Sequence, residues 1–411
     1  MYLLKLAIRN IKRNKRRSLL AIISISIAVL FIVYLKGLIG GFTDSIVKNY
    51  TKNETGHIRI STKKFAENSR FYPITDNIEN PEKIIEQILS NNEIADNIDL
   101  ITQRINFGVL INHNGNNEMA VALAGNPELE KNLLMLQKSI LPDGKYIENA
   151  DETIIGYKLA QALNYKLGDQ IRVMTSGSDY ALHLKKFKIV GIFQSGLNTL
   201  DETIFQITLE DAKKLLRMGD QTQQIIIFLK DYRKSDEMAL KIRNMLTNEN
   251  LTILSWTKIG GYYAYVKLAE GIYNWIYFIV ALFGAFIIGN IMMMVVFERR
   301  KEIGLIRSLG MSAKNVLFLF INEGFILGLI GSLIGSGLGF LLVLFFHYHG
   351  IDFSRMMGSL RFPMDNIINF KLSFYGIFMP LALGTVIAAL ISVAPSYKAA
   401  KMKIADSLKS V

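Results

Sequence analysis

Four long apolar runs dominate the hydropathy pattern, at residues 19–40, 272–297, 316–346 and 373–394. Each is long enough to cross a hydrocarbon core of about 30 Å. The third, at about 1.5 Å per residue, extends to roughly 46 Å, so it is expected to tilt or protrude. Ahead of them, residues 1–18 alternate with helical period. Leu4, Ala7, Ile8 and Ile11 fall on one face, and Lys5, Arg9, Lys12, Arg13 and Arg16 on the other. This is the pattern of an amphipathic helix lying on a membrane surface with its basic side towards anionic headgroups. The competing reading is a solvated basic start. The first apolar run is longer than a signal peptide's, and Gly37–Phe42 offers no A-x-A-like cleavage site, so an uncleaved span is expected.

Residues 41–270 carry a different pattern, short β-type and α-type segments in alternation. GHIRI at residues 56–60 reads as a strand, and Pro81–Leu89 as a helix with Asn80 as its N-cap. Leu100–Ala124 reads as a hairpin turning at His113–Asn117. Ile171–Met174, Phe187–Phe193 and Gln224–Leu229 read as buried strands, with helices at Gly156–Leu163, Leu209–Met218 and Ser235–Thr247. The fold class is therefore an α-helical integral membrane protein with four transmembrane helices and a large extracytoplasmic α+β domain between the first and second, divisible into two subdomains.

Charge fixes the orientation. Of 47 Lys+Arg and 35 Asp+Glu, residues 41–270 hold 27 and 29, a net of −2; the remainder holds 20 and 6, a net of +14. Positive charge beside apolar spans marks the cytoplasmic side and is not the footprint of nucleic-acid binding. Both ends are then cytoplasmic, with an outer loop at 347–372. Pro395 is expected to stop the fourth span, and Lys398, Lys401, Lys403 and Lys409 to hold the tail (395–411) inside. Trp275 and Tyr277 are placed as interface anchors at the outer end of the second span.

Chemistry of its own is sparse. There is no cysteine and no GxxxxGK[ST] loop, so any ATP is expected on another chain. His347 and His349, with Asp352, suggest either a metal site or a plain helix end. Glu323 lies inside the third span, where a carboxylate is costly and is either paired with a neighbouring helix or proton-coupled; Lys36 is the one obvious charged residue in the other spans. Catalytic, cofactor-binding and metal residues are all expected to be absent. Gly324, Gly328, Gly331, Gly335 and Gly339 recur at three and four residues, a stripe that admits a neighbouring helix closely.

The functional expectation rests on residues 298–315, a short charged helix between the second and third spans. Arg299, Arg300, Lys301, Arg307 and Lys314 oppose Glu298 and Glu302, and Ile303, Leu305, Ile306 and Leu309 lie among them. Such a helix is suited to pressing an apolar face into a cleft of a soluble partner; the alternative is an ordinary solvated loop.

ERRKEIGLIRSLGMS with its glycine-rich span, PSYKAAKMKIADSL at the tail, LAIRNIKRNKRRSLLAIISISIAV at the start and TGHIRI after the first span resemble the FtsX-like permeases of ABC transporters. The resemblance covers essentially the whole chain, and LGDQIRVMTS…FKIVGIFQSG is most similar to the lipoprotein-releasing branch. It implies a second permease chain, identical or homologous, and two copies of a separate ATPase holding ATP and Mg. It also implies mechanotransmission, with Glu298, Arg299, Arg300, Lys301, Glu302, Ile303, Gly304, Arg307, Leu309 and Gly310 as the ATPase-coupling helix. In that branch the acyl chains of a lipoprotein leave the outer leaflet of the inner membrane through an apolar chamber for a periplasmic carrier. Val33, Ile39 and Phe42 on the first span and Ile276, Ile279 and Phe283 on the second are candidates to line it. One departure stands out. The position that carries a carrier-catching hairpin in the family is here Thr175–Leu184, short and without proline. A macrolide- or peptide-exporter-like permease and a non-transporting activator of a cell-wall hydrolase are the competing readings.

Overall fold

The computed structural model describes residues 2–113, 116–133, 136–195, 197–353 and 365–401. Two compact units emerge. One gathers Met1–Asp44, Lys267–Asp352 and Ile367–Val411, and the other Ser45–Val266 with Phe353–Asn366.

The first unit is helical. Tyr2–Arg13 is followed by the spanning helices Lys15–Tyr50, Tyr262–Glu298, Ala313–His349 and Phe374–Ile391, with the short helix Arg300–Ser308 between the second and third. All but the fourth run beyond their apolar sequences, because nothing in the flanking polar residues breaks the helical period. Ser312 and Ser373 cap the third and fourth, their hydroxyls accepting from the amides of Asn315 and Gly376. Pro395 does not end the fourth span as expected. The helix ends at Ile391 with Ser392 as its C-cap, and Pro395 lies in the first turn of a new helix, Val393–Lys401, where its missing N–H breaks no internal bond. Lys403, Lys409 and residues 354–364 of loop 347–372 lie outside the described residues. The described part of that loop includes a short antiparallel pair, Ile351–Asp352 with Ile367–Ile368.

The glycine stripe holds this unit together, and it changes partner along its length. A Cβ at Gly324 or Gly328 would meet Ser392 or Ala388 of the fourth helix region at 2.5 and 2.6 Å. One at Gly331, Gly335 or Gly339 would meet Ile25, Ser26 or Val33 of the first helix at 2.7, 2.4 and 2.8 Å. The third helix is therefore the axis on which both others seat at backbone distance.

The second unit, the inter-span domain, is α+β. Its strands are β1 (Ile58–Thr62), β2 (Ile98–His113), β3 (Asn116–Gly125), β4 (Glu152–Gly156), β5 (Gln170–Ser176), β6 (Leu182–Phe193), β7 (Ile204–Thr208), β8 (Gln224–Leu229) and β9 (Leu251–Ser255). They form one sheet in the order β3-β7-β4-β6-β5-β2-β8-β1-β9, and β3 also pairs with β2. That extra pairing closes six strands into a ring. β2 belongs to both parts, since Ile98–Arg104 pairs with β8 and Arg104–His113 with β3. Two cores follow. Ile105, Phe107, Phe187 and Ile207 fill the ring, and Ile58, Ile60, Ile227, Met238 and Ile242 fill the second lobe. Arg104 sits at the junction, fully buried, its Nε 3.0 Å from the equally buried Glu130 and its Nη1 3.2 Å from the carbonyls of Lys52 and Asn53. The expected helix at Pro81–Leu89 and strand at Gln224–Leu229 are present as read. Asn80 is not a side-chain cap; it takes a left-handed turn at φ 50°, and only its backbone carbonyl accepts from a helix amide, that of Lys83 at 3.2 Å. The hairpin of β2 and β3 is present, with its tip at residues 114–115 outside the described residues.

Candidate functional site

The short helix Arg300–Ser308 is bound to its own bundle along one side. Arg299 is buried and bridges two carboxylates, Nε to Glu302 at 2.9 Å and Nη1 to Glu323 at 3.2 Å. Glu323 also accepts a 2.6 Å bond from Asn10 Nδ2 of the N-terminal helix. Arg13 pairs with Glu302, and Arg17 with Glu298. Burial pushes the Glu302 carboxyl up, but hydrogen bonds from Arg13 and Arg299 outweigh it and hold it below the usual carboxylate range. Glu323 is thus paired with neighbouring helices, and its partners are Arg299 and Asn10. Lys36 is engaged elsewhere.

The side turned away is narrower than the sequence suggests. Ile303 and Gly304 are buried, Ile303 against the core of the helical unit, so neither contributes to a docking face. Lys301, Leu305, Ser308, Leu309 and Gly310 are exposed, Leu305 and Leu309 by 55% and 80%. Lys301, Leu305 and Leu309 recur every four residues and share one face. Arg300, Ile306 and Arg307 are half-buried along its edges, and Glu298 is exposed. Gly310 ends the segment in a left-handed conformation at φ 99° that a side chain would strain. Arg13, which fastens this helix, was legible only as a basic position of an amphipathic start, and Asn10, which bonds Glu323 of the third spanning helix, carried no signal of its own.

The chamber candidates divide. Val33 and Ile39 are buried inside the bundle, Val33 against Gly339, so neither is free to line a chamber. Close helix packing consumed them. Phe42 and Ile276 are half-buried, and Ile279 and Phe283 are exposed. An apolar cleft of about 340 Å³ does exist within the helical unit, lined by Ile25, Ile32, Phe278, Ala281 and Leu383 among others. Lys36 is its one charged residue; the ammonium lies 4.5 Å from the Tyr375 ring centroid and 3.1 Å from Met379 Sδ. His347 and His349 aim Nδ1 at the carbonyls of Phe370 and Phe345, at 2.7 and 3.0 Å.

In the inter-span domain Thr175–Leu184 forms the plain hairpin of β5 and β6. Its tip exposes Tyr180, Leu182 and Leu184. Register places Leu184, Met174, Leu110 and Met119 directly opposite one another across four strands, on the face away from the core. The segment is short, yet it presents an apolar row.

Residues 274–404 match the FtsX-like permease C-terminal family, and residues 18–245 the MacB-like periplasmic core domain. An ABC transporter permease of Methanocaldococcus jannaschii is 25% identical over 352 residues, 82% of each chain. The lipoprotein-releasing system transmembrane protein LolC of Buchnera aphidicola is 26% identical over 334 residues, 79% of this chain and 78% of that one. LolC of Neisseria meningitidis is 25% identical over 211 residues, and the match spans about half of each chain (49% and 51%).

Proposed function

The chain belongs to the FtsX-like permeases of ABC transporters, and from that premise we propose that it extracts lipoproteins from the outer leaflet of the inner membrane. The observation that carries the coupling part is the two-sided helix Arg300–Ser308. Arg299 and Glu302 fasten it to the bundle, while Leu305 and Leu309 remain uncovered. A helix built this way transmits a push without folding away under it. In this reading a separate ATPase, in two copies, holds that face on the cytoplasmic side, hydrolyses ATP, and works on this chain paired with a second permease.

The similarity to LolC proteins supports lipoprotein as the substrate class. Moving lipid chains out of a bilayer costs about 0.8 kcal/mol per CH₂, which accounts for the need of ATP and an apolar route. Ile279 and Phe283, exposed on the second spanning helix, stay candidates for that route, with Phe42 and Ile276 beside it. The apolar row ending at Leu184 is the surface offered to a carrier. A MacB-like core also suits an exporter that works with an adaptor.

Purifying the tagged chain from its native membrane and identifying stoichiometric companions by mass spectrometry tests the reading. An ATPase with a second permease or bound triacylated protein is expected. An ATPase with an adaptor would transfer the assignment to export, and an ATPase with a cell-wall hydrolase alone to signalling. No ATPase would end it.

A further inference from the structure

The inter-span domain contains a polar pocket that no transport role accounts for. It has a volume of about 260 Å³ and lies where the two lobes meet. Its floor is set by strand register. Arg59 of β1 stands opposite Ile226, and Gln224 is two residues before Ile226 on β8. Gln224 in turn stands opposite Arg104, and Asn106 is two beyond Arg104 on β2. Period two therefore sends Arg59, Gln224 and Asn106 to one face of the sheet.

All three are more than nine-tenths buried, and each has an atom with no hydrogen-bond partner among the described residues: Arg59 Nε, Gln224 Oε1 and Asn106 Oδ1. Among the described residues no carboxylate lies within ion-pairing distance of Arg59, although the Glu54 charge is felt there, and the Phe65 ring lies beside it, 5.8 Å from its Cζ. Unsatisfied buried polar atoms are uncommon and call for an explanation. Here one donor group and two acceptors converge on a preformed space. On its wall Tyr50 donates to the Ile259 carbonyl at 2.7 Å, and Gly260, at φ 61°, leaves room for the hydroxyl, since a Cβ there would lie 2.6 Å from it. Glu54 and Arg70 complete the rim.

We propose that this pocket binds a small molecule bearing a carboxylate with an N–H on the adjacent carbon, a free α-amino acid or the C-terminal residue of a peptide. The carboxylate meets Arg59, a planar fork suited to it. The N–H group meets Asn106 Oδ1 and Gln224 Oε1, which a bare anion would leave unsatisfied. Glu54 opposes a second negative charge and favours an ammonium.

The test uses the full chain in nanodiscs and isothermal titration calorimetry. The probes are the L-α-amino acids, Gly-Gly and Ala-Ala, with acetate and inorganic phosphate as comparators. At least one amino acid or dipeptide should bind tenfold or more tighter than either comparator. Arg59→Met should weaken it at least tenfold in protein whose circular dichroism is unchanged. Hydrogen exchange on the unaltered chain should show ligand protection around residues 50–60 and 69–72, a readout that needs no variant to fold. A free amino acid as the preferred ligand, weakened by Glu54→Gln, assigns the ammonium form. A preferred dipeptide insensitive to Glu54→Gln assigns a peptide end. Binding by no probe, equal binding of acetate or phosphate, or unchanged affinity in folded Arg59→Met overturns the proposal.

Discussion

Glu323 shows how far a single residue can be read. Its place in an apolar run called for either a partner or a proton-coupled role, since an unpaired carboxylate at that depth is costly. The partner's identity was not legible, because Asn10 is 313 positions away and Arg299 belongs to a segment that charge and interspersed apolar residues assigned to a docking surface. The glycine stripe was legible as a row and not as a switch between two neighbours. It supports a controlled prediction. Gly335→Ala sets a Cβ 2.4 Å from the Ser26 carbonyl oxygen, a backbone atom that moves only if the helices part. A loss of about 1–3 kcal/mol in bundle stability is expected. Gly337, one turn face away, has nothing within 4 Å, and Gly337→Ala should be neutral or slightly stabilising. Thermal melts in detergent that fail to separate the two would refute the close packing. A second residue-scale effect is acid sensitivity. His57 accepts from the Leu229 amide at 2.8 Å through Nδ1, and burial pushes its pKa down to about 4. The unfolded chain takes up that proton near pH 6.5 and the folded one does not, so stability falls as pH drops from about 6.5 to about 4. The ceiling is about 3 kcal/mol, lowered by the partial exposure of the ring. His57→Asn, which keeps an acceptor and cannot titrate, should flatten that part of the pH–stability curve; parallel curves for the two proteins would contradict it.

At the scale of elements, periodicity recovered most of the helices and strands, because apolar spacing and turn residues agree locally. It failed where tertiary contact decides. Charge and interspersed leucines marked Arg300–Ser308 as an interaction helix, yet nothing local says that Ile303 turns inward while Leu305 and Leu309 turn out. The exposed pair makes the coupling reading testable. Leu305→Asp with Leu309→Asp should cut recovery of a co-purifying ATPase at least tenfold, a loss of about 1.4 kcal/mol or more in affinity. The bundle should stay intact, because both side chains are mostly exposed. Full recovery of the ATPase would remove this face from the interface. The inner side makes a different prediction. Glu302→Arg places like charges beside Arg13 and Arg299 and should destabilise the helical unit, and adding Arg13→Glu should restore part of the loss. Melting temperatures that do not couple would mean that the Arg13–Glu302 contact fixes nothing. The two experiments separate what the helix offers outward from what holds it in place.

For the whole molecule, four spans and an α+β insert were legible because hydrophobic length and charge asymmetry are global quantities that survive errors in any one element. The closure of six strands into a ring was not, since it depends on β3 pairing with both β2 and β7, partners that lie on opposite sides of it in space and far apart in sequence. The charge division of −2 against +14 carries a last prediction, one of sidedness. The chain has no cysteine, so single introduced thiols report position against no background. Tyr180→Cys lies at the tip of the β5–β6 hairpin, where Tyr180 is 81% exposed, and Ser308→Cys on the free side of the short helix. A membrane-impermeant maleimide should label Tyr180→Cys with the cytoplasmic membrane sealed, and Ser308→Cys only after it is permeabilised. The reverse pattern would break the positive-inside assignment, and labelling of both from one side would break the four-span reading itself, because a chain of four spans with the inter-span domain after the first cannot put residues 180 and 308 on the same side. It would also remove the ATPase-facing role of the short helix, which requires that helix and the inter-span domain to work on opposite sides of the membrane.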